Sequence, residues 1–308
     1  MSRVLPSDGR RGLSRRALLQ AATAGALAGG PAAAMPAAPA RIATLDYGLA
    51  ETLLALGRPP LAIAEADEWA VWVVDPPLPA GTVNLGSALE PNLEVLTALR
   101  PDLILTTPYL GRITPILHLI APTRRFAIYA PEVGAPYEAS VAATRQLATE
   151  LGVEGAGERL VAQVEAAFAE VRARHEGRAG EPVFVVNFMD ARHVRVYGEH
   201  SLFDAVLRRC GLANAWQGPT NYWGFATVGI EQLAQMPAAR LLYLEPVTPD
   251  VLGALARSPL WNSLGFVRAG RVQRMPAVLM FGMLPSAQRF ARLIDAALAS
   301  ATGSDDGG

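Results

Sequence analysis

Aromatic side chains in stretches rich in glycine and proline are the residues of this chain best suited to binding chemistry. An exposed tryptophan or tyrosine offers a flat apolar face, a polar edge and little conformational entropy to lose, which suits a bulky organic ligand. Loops at strand ends are the usual place for such a surface. The candidates are Trp69, Trp72, Tyr109, Trp216, Tyr222, Trp223, Phe225 and Phe281. Packing in a hydrophobic core is the alternative, and it is favoured for Trp216 and Trp261.

Catalysis and direct metal binding find no support in the sequence. The motifs G-x-S-x-G, H-E-x-x-H, G-x-x-x-x-G-K-[ST] and G-x-G-x-x-G do not occur. The four histidines have no short metal-ligand spacing. The single cysteine, Cys210, stands where an amphipathic helix is predicted to end, which favours a buried structural thiol. We therefore predict a protein that is not an enzyme, with no catalytic residues, no metal ligands and no cofactor of its own.

The first forty residues have the order of an export signal. A pair of arginines at residues 15–16 shortly precedes an apolar run over 21–28, and a stretch of small residues follows over 31–40. The apolar run is too short to span a bilayer, and paired arginines at that position indicate the twin-arginine route. We expect cleavage after Ala34 or Ala40 and a mature protein in the periplasm.

The charge of the remaining chain argues against nucleic acid as a partner. The whole chain has a formal net charge of −1, and its first forty residues hold five arginines against one aspartate. Without that segment 22 basic and 27 acidic side chains remain. A mildly acidic protein does not attract a phosphate backbone.

Short β-rich stretches alternate with helical patterns from residue 41 onward, which is typical of an α/β fold. The predicted strands cover residues 42–45, 61–64, 103–106, 126–129, 183–188 and 241–244. The predicted helices cover residues 49–56, 93–100, 113–120, 158–175, 201–210 and 286–298. We expect an N-terminal lobe over residues 41–154 and a C-terminal lobe over 179–301, each with a mainly parallel central sheet, and a flexible tail over 302–308.

One long, rigid helix is predicted to join the two lobes. Residues 158–175 contain no glycine or proline and place apolar side chains on one face. They correspond to about 27 Å of helix within a linking segment over residues 155–178. Because a stiff connector permits only small hinge motions, we expect a largely pre-formed cleft between the lobes, where a small ligand usually binds.

Several stretches resemble the periplasmic ferric hydroxamate-binding proteins, which belong to the helical-backbone class of ABC receptors for siderophores and cobalamin. The stretches are 72–79 (WVVDPPLP), 90–94 (EPNLE), 214–224 (NAWQGPTNYWG), 259–261 (PLW) and 266–271 (FVRAGR). The EPNLE stretch marks only the broad class, whereas residues 214–224 are much more specific. The resemblance extends over essentially the whole chain.

This resemblance implies a shallow aromatic cleft that binds ferric iron already caged by a siderophore. Ferric iron is a hard ion that prefers oxygen ligands, and hydroxamates supply them, so the protein needs to donate none. The resemblance also implies that Trp72 and Trp223 line the pocket from the two lobes and that Tyr109 hydrogen-bonds the chelate's oxygens. The implied partners are a ferric siderophore and an inner-membrane ABC permease, and we expect a monomer.

The polar part of the implied site departs from the family pattern. The departing positions are Ala88, Leu110, Leu279 and Phe281. Ala88 stands where similar proteins have an arginine that reaches the iron-bound oxygens, and Tyr109 lies beside the position of the family's tyrosine. Arg112 either replaces the missing charge or is a solvated loop residue. The ligand is therefore a hydroxamate, a mixed citrate-hydroxamate or another metal chelate.

Receptors of this class meet arginines of the permease through one acidic residue at the tip of each lobe. Motif position assigns these roles to Glu94 and Glu231. An exposed ion pair contributes only about 0–1 kcal/mol, so the two glutamates would set docking register more than affinity.

The alternatives to a receptor for ferric hydroxamates are a receptor for cobalamin or haem, and an exported enzyme that reduces or hydrolyses the siderophore.

Overall fold

The computed structural model describes Met1 and residues 38–302. The predicted export signal lies outside these residues apart from its two ends, and so does the predicted tail beyond residue 302. Within residues 38–302 no helix is both long enough and apolar enough to cross a membrane.

The first sheet contains five parallel strands within the described residues, in the order β3-β2-β1-β4-β5. The strands are β1 (Ile42–Thr44), β2 (Ala62–Ile63), β3 (Val83–Asn84), β4 (Leu103–Thr106) and β5 (Thr123–Arg125). All residues of β1, β2 and β4 are buried, as expected of parallel strands covered on both faces.

Four helices connect these strands within residues 38–125 of the described chain. They are α1 (Tyr47–Ala55), α2 (Trp69–Trp72), α3 (Leu93–Leu99) and α4 (Thr114–Leu117). The carboxylate of Asp46 begins α1 by accepting a hydrogen bond from the Leu49 N–H at 2.9 Å, and Asn92 begins α3 through Val95 in the same way. Such caps satisfy N–H groups that the helix itself leaves unpaired.

The second sheet is mixed. Its strands within the described chain are β6 (Pro182–Phe188), β7 (His193–Tyr197), β8 (Ala213–Asn214), β9 (Phe225–Gly229), β10 (Arg240–Leu244) and β11 (Val272–Met275). They run in the order β11-β10-β6-β7-β9, with β8 also beside β6. The strands β8 and β10 are parallel to β6, and β11 is parallel to β10. In contrast, β7 is antiparallel to β6 and to β9. The parallel strands β6 and β10 were predicted, whereas β8, β11 and the antiparallel strands β7 and β9 were not.

The remaining α-helices follow β5 in the chain. They are α5 (Pro136–Glu150), α6 (Glu154–Arg174), α7 (Leu202–Arg209), α8 (Pro249–Ala256), α9 (Pro259–Ser263), α10 (Gly265–Arg268) and α11 (Leu284–Thr302). The linking helix α6 has 21 residues and ends at Arg174. The predicted linking segment extended to residue 178, but a 3₁₀ turn covers Glu176–Arg178. Buried Phe168 of α6 shares a core cluster with Phe203 of α7 and Phe290 of α11, so α6 is packed along its length and is not a free rod.

The C-terminal helix α11 also contacts the first half of the chain. Buried Glu51 of α1 accepts hydrogen bonds from the Met283 N–H at 2.8 Å and from the Ser286 hydroxyl at 2.8 and 2.7 Å. A carboxylate at a helix N-terminus satisfies free N–H groups and complements the helix dipole. The segment that begins α11 is therefore fixed to α1 of the first lobe.

One predicted strand is wrong in position. The prediction over residues 126–129 falls on a loop, because the strand is β5, three residues earlier. Phe126, Ile128 and Tyr129 are buried in the first lobe's core all the same. Their apolar character reflects burial beneath the sheet edge and not strand pairing. The core assignment of Trp216 and Trp261 and the buried position of Cys210 are confirmed.

Candidate ligand-binding site

A cavity of about 390 Å³ opens at the carboxyl ends of strands β1, β2 and β4. Residues after each of these strands line it, including Asp46, Glu65 and Thr107. Ligands of open α/β sheets bind at this edge, because loops from several parallel strands converge there. The opposite wall comes from β7, from the start of β9 and from residues 279–283. The cavity is thus built from both halves of the chain.

Six aromatic side chains from the two halves line this cavity. They are Tyr47, Tyr109, Tyr129, Trp223, Phe225 and Phe281. The ring of Trp223 stacks on Tyr129, with centroids 5.9 Å apart and planes 20° apart, and meets Tyr109 edge-on at 5.7 Å. Trp223 also lies 4.8 Å from Phe281. Offset and edge-to-face contacts at these distances are favourable geometries for aromatic pairs.

The predicted residues Tyr109, Trp223 and Phe281 therefore meet at one surface. Tyr109 lies in a 3₁₀ turn after β4 and is 59% exposed, so its hydroxyl edge is free to reach a ligand. Phe281 precedes Gly282, whose carbonyl oxygen accepts a hydrogen bond from the Tyr129 hydroxyl at 2.8 Å. This bond fixes the segment that carries Phe281 to the first lobe.

Two predicted site residues lie outside the cavity. Half-buried Trp72 belongs to a small cluster around buried Trp69, together with Tyr47 and Leu279. It shares this cluster with two residues that line the cavity but does not itself line it. Exposed Arg112 lines a neighbouring groove, beyond Tyr109. Trp72 lies outside the cavity because it packs in the cluster that contains Trp69. Arg112 lies outside it because the chain enters the neighbouring groove after the 3₁₀ turn Pro108–Leu110.

Arg195 was missed by the sequence analysis. It lies at the centre of β7, between the fully buried Val194 and Val196, so the alternation of a strand directs it to the opposite face. Its guanidinium carbon lies 4.4 Å from the centroid of Phe225, and its Nη1 lies 2.9 Å from the sulfur of Met280. A charged residue inside an apolar strand was the signal that could have found it.

Two carboxyl groups close to the cavity are held in unusual surroundings. Burial raises the pKa of Asp46, which lines the cavity, to about 6, against the opposing effect of its hydrogen bonds with the Leu49 and Gly48 N–H groups. Burial also raises the pKa of Glu51 to about 7, although hydrogen bonds from Met283 and Ser286 oppose the shift. Desolvation disfavours the charged carboxylate, so both groups take up protons near neutral pH.

A family model described as "Periplasmic binding protein" matches residues 42–279. The chain belongs to this family. It is 35% identical over 260 residues to the iron(3+)-hydroxamate-binding protein FhuD of Escherichia coli, covering 84% of this chain and 87% of the relative. It is 24% identical over 261 residues to the probable siderophore-binding lipoprotein YfiY of Bacillus subtilis, covering 80% and 77%.

A solved structure supports the same resemblance and the same fold. The Fe3+–Desferal-bound siderophore-binding protein FhuD from Vibrio cholerae superposes with a TM-score of 0.79 at 28% identity, covering 84% of this chain and 97% of that one. The predicted resemblance and the two-lobed α/β fold are confirmed. Since the family consists of binding proteins, the prediction that the chain is a binding protein and not an enzyme is confirmed as well.

Both predicted docking residues of this binding protein are exposed. Glu94 lies in the first turn of α3, and Glu231 lies in the 3₁₀ helix Ile230–Gln235 that follows β9. Neither has an ion-pair partner within residues 38–302.

Within residues 38–302, no three His, Cys, Asp or Glu side chains are grouped so that they could hold a metal ion.

Proposed function

We propose that this binding protein captures a ferric siderophore of the hydroxamate type in the periplasm and delivers it to an inner-membrane ABC importer. The observation that carries the proposal is the aromatic surface on which Trp223 of the second half meets Tyr109 and Tyr129 of the first. The relatives named for iron(3+)-hydroxamate binding and for bound Fe3+–Desferal support the choice of ligand.

The cavity suits a metal that arrives already enclosed in an organic shell. Hydroxamate oxygens satisfy ferric iron, so the receptor recognises the outside of the complex. That outside is largely hydrocarbon, and aromatic faces bury it without losing much side-chain entropy. Burying one indole against the chelate contributes about 2–3 kcal/mol. The chelate would lie against Trp223 and Phe281, with the Tyr109 hydroxyl at its oxygens.

The remaining parts of the proposal concern transport. Residues 1–40 direct the chain through the twin-arginine route, and the mature protein acts as a monomer whose lobes cover residues 41–154 and 179–301. Glu94 and Glu231 place the loaded receptor on the permease, one from each lobe. Their exposure and lack of ion-pair partners in the described residues support this role.

A titration of the purified mature protein tests the ligand. Isothermal titration calorimetry with Fe3+–Desferal, ferric citrate, haem and cobalamin should give saturable binding of the hydroxamate complex and none of haem or cobalamin. Iron-free Desferal provides the control for the metal. Binding of haem or cobalamin in place of the hydroxamate complex would reject the proposal in favour of the other receptor class.

A further inference from the structure

The cavity contains a basic side chain that forms no ion pair with any described residue. Arg195 is the one basic residue among the described residues that line it, beside the acidic Asp46 and Glu65. The Nε of Arg195 is buried and has no hydrogen-bond partner. A guanidinium has five N–H donors and no acceptor, and each buried donor without a partner is unfavourable.

The partners that Arg195 does have are neutral. Its Nη1 contacts the thioether of Met280, a weak acceptor, its guanidinium carbon lies 4.4 Å from the centroid of Phe225, and it interacts with the hydroxyl of Tyr197. A cation over an aromatic face is held in position without being neutralised. The guanidinium is therefore oriented and partly desolvated, with hydrogen-bonding capacity left over.

The acidic residues of the cavity wall are engaged elsewhere. Asp46 caps α1 through Leu49, and Glu65 accepts from the Ala88 N–H at 3.4 Å. Neither forms an ion pair with Arg195, which has none within residues 38–302. Ala88, the position at which the family resemblance led us to expect an arginine, presents a methyl group to the same cavity.

We propose that Arg195 selects ferric chelates that carry an anionic oxygen on their outer surface, such as a free carboxylate, over neutral and cationic chelates of the same core. The inference rests on the proposed function and names the ligand charge that the site prefers. A planar guanidinium with free N–H groups forms charge-assisted, often bidentate bonds with a carboxylate. Within a partly desolvated cavity such a bond is stronger than in water.

Three chelates with one iron core test this preference. Ferric desferrioxamine B ends in a free ammonium, its N-acetyl derivative ends in a neutral amide, and its N-succinyl derivative ends in a carboxylate. By calorimetry at constant ionic strength, the native protein should bind the succinyl complex about tenfold or more tightly than the ammonium complex, with the acetyl complex between them.

Variants assign the preference to the residue. Arg195→Leu should abolish the order of the three affinities while still binding the complexes, and Arg195→Lys should retain the order in weaker form. Arg192→Leu removes the same charge from an exposed position in the turn before β7 and should leave the order unchanged. Far-UV circular dichroism and thermal unfolding establish that each variant is folded.

The outcomes separate this inference from the proposed function. If the native protein binds none of the three complexes, the proposed function fails. If it binds all three with equal affinity, or if the preference persists in Arg195→Leu, the receptor role stands and the assignment to Arg195 is overturned. Loss of the preference in Arg112→Leu in place of Arg195→Leu would likewise overturn it.

Discussion

The indole of Trp223 stacks on the phenol ring of Tyr129, with centroids 5.9 Å apart. The two residues are far apart in sequence and come from different halves of the chain, so this contact joins the two walls of the cavity. The rings of Tyr109, Tyr222 and Phe281 also contact Trp223, so its indole is held in a fixed orientation. Because Trp223 also lines the cavity, this contact is the structural basis for the proposed stacking of a ligand on its indole.

Replacing Trp223 should weaken binding. We expect Trp223→Ala to reduce the affinity for Fe3+–Desferal by about 1–3 kcal/mol, because the apolar surface that the indole contributes to the cavity would be lost. Trp72→Ala provides the matched control, since Trp72 does not line the cavity and its loss should cost clearly less affinity. Calorimetry measures both; equal losses, or a larger loss for Trp72→Ala, would show that Trp72 contributes to ligand binding as the sequence predicts.

Removing the Tyr129 hydroxyl should loosen the segment that carries Phe281. Tyr129→Phe deletes the hydrogen bond to the Gly282 carbonyl, and we expect a loss of about 1 kcal/mol in the free energy of unfolding together with weaker ligand binding. Tyr137→Phe is the control, because the Tyr137 hydroxyl donates to Glu165 at 2.6 Å, away from the cavity. Urea unfolding and calorimetry should show lost stability in both variants and lost affinity in Tyr129→Phe.

The free energy of unfolding should fall as the pH rises from about 4.5 to about 7. Folding raises the pKa of Glu51 from 4.5 to about 7, so the folded protein holds a proton that the unfolded chain releases between these values. Below about pH 4.5 Glu51 is protonated in both states and does not lower the free energy of unfolding. Above the folded pKa its ionisation lowers the free energy of unfolding by on the order of 3 kcal/mol. Asp46 acts in the same direction, since its pKa is also raised.

The variant Glu51→Gln isolates this contribution. Its amide oxygen can still accept from the Met283 N–H, but it does not titrate. Urea unfolding at pH 5 and pH 8 should give a much smaller difference in unfolding free energy for Glu51→Gln than for the native chain. The same pH dependence in both proteins would show that Glu51 is ionised throughout.

The docking assignment predicts a separation of binding from transport. The double variant Glu94→Ala with Glu231→Ala should bind Fe3+–Desferal with unchanged affinity, because both side chains are exposed and outside the cavity. Iron uptake from that complex should fall in cells that depend on this receptor, as the register on the permease is lost.

A second double variant controls for general loss of negative charge. Glu154→Ala with Glu176→Ala removes two exposed glutamates at the two ends of the linking helix α6 and should leave uptake intact. If the docking double variant loses ligand affinity, or transports as well as this control, the two glutamates do not dock the receptor.

Much of the fold followed from local sequence patterns. The strand β4 and the helix α3 were predicted nearly to the residue, because a buried parallel strand is a continuous apolar run and because α3 has apolar residues at helical spacing. The strand predicted over residues 126–129 failed since burial makes loops as apolar as strands. The antiparallel pair β7 and β9 was missed because β9 is only half-buried and has a weak pattern.

The sequence by itself determined the family, the two-lobed α/β fold and the supply of aromatic residues that includes Tyr109, Trp223 and Phe281. Those properties depend on residue types and on short spacings, which are visible along the chain. Only the tertiary structure decided that Trp72 lies outside the cavity and that Tyr129 and Arg195 line it. These roles depend on which side chains meet across two sheets, and strand periodicity fixes the face on which a residue lies but not the neighbour it meets there.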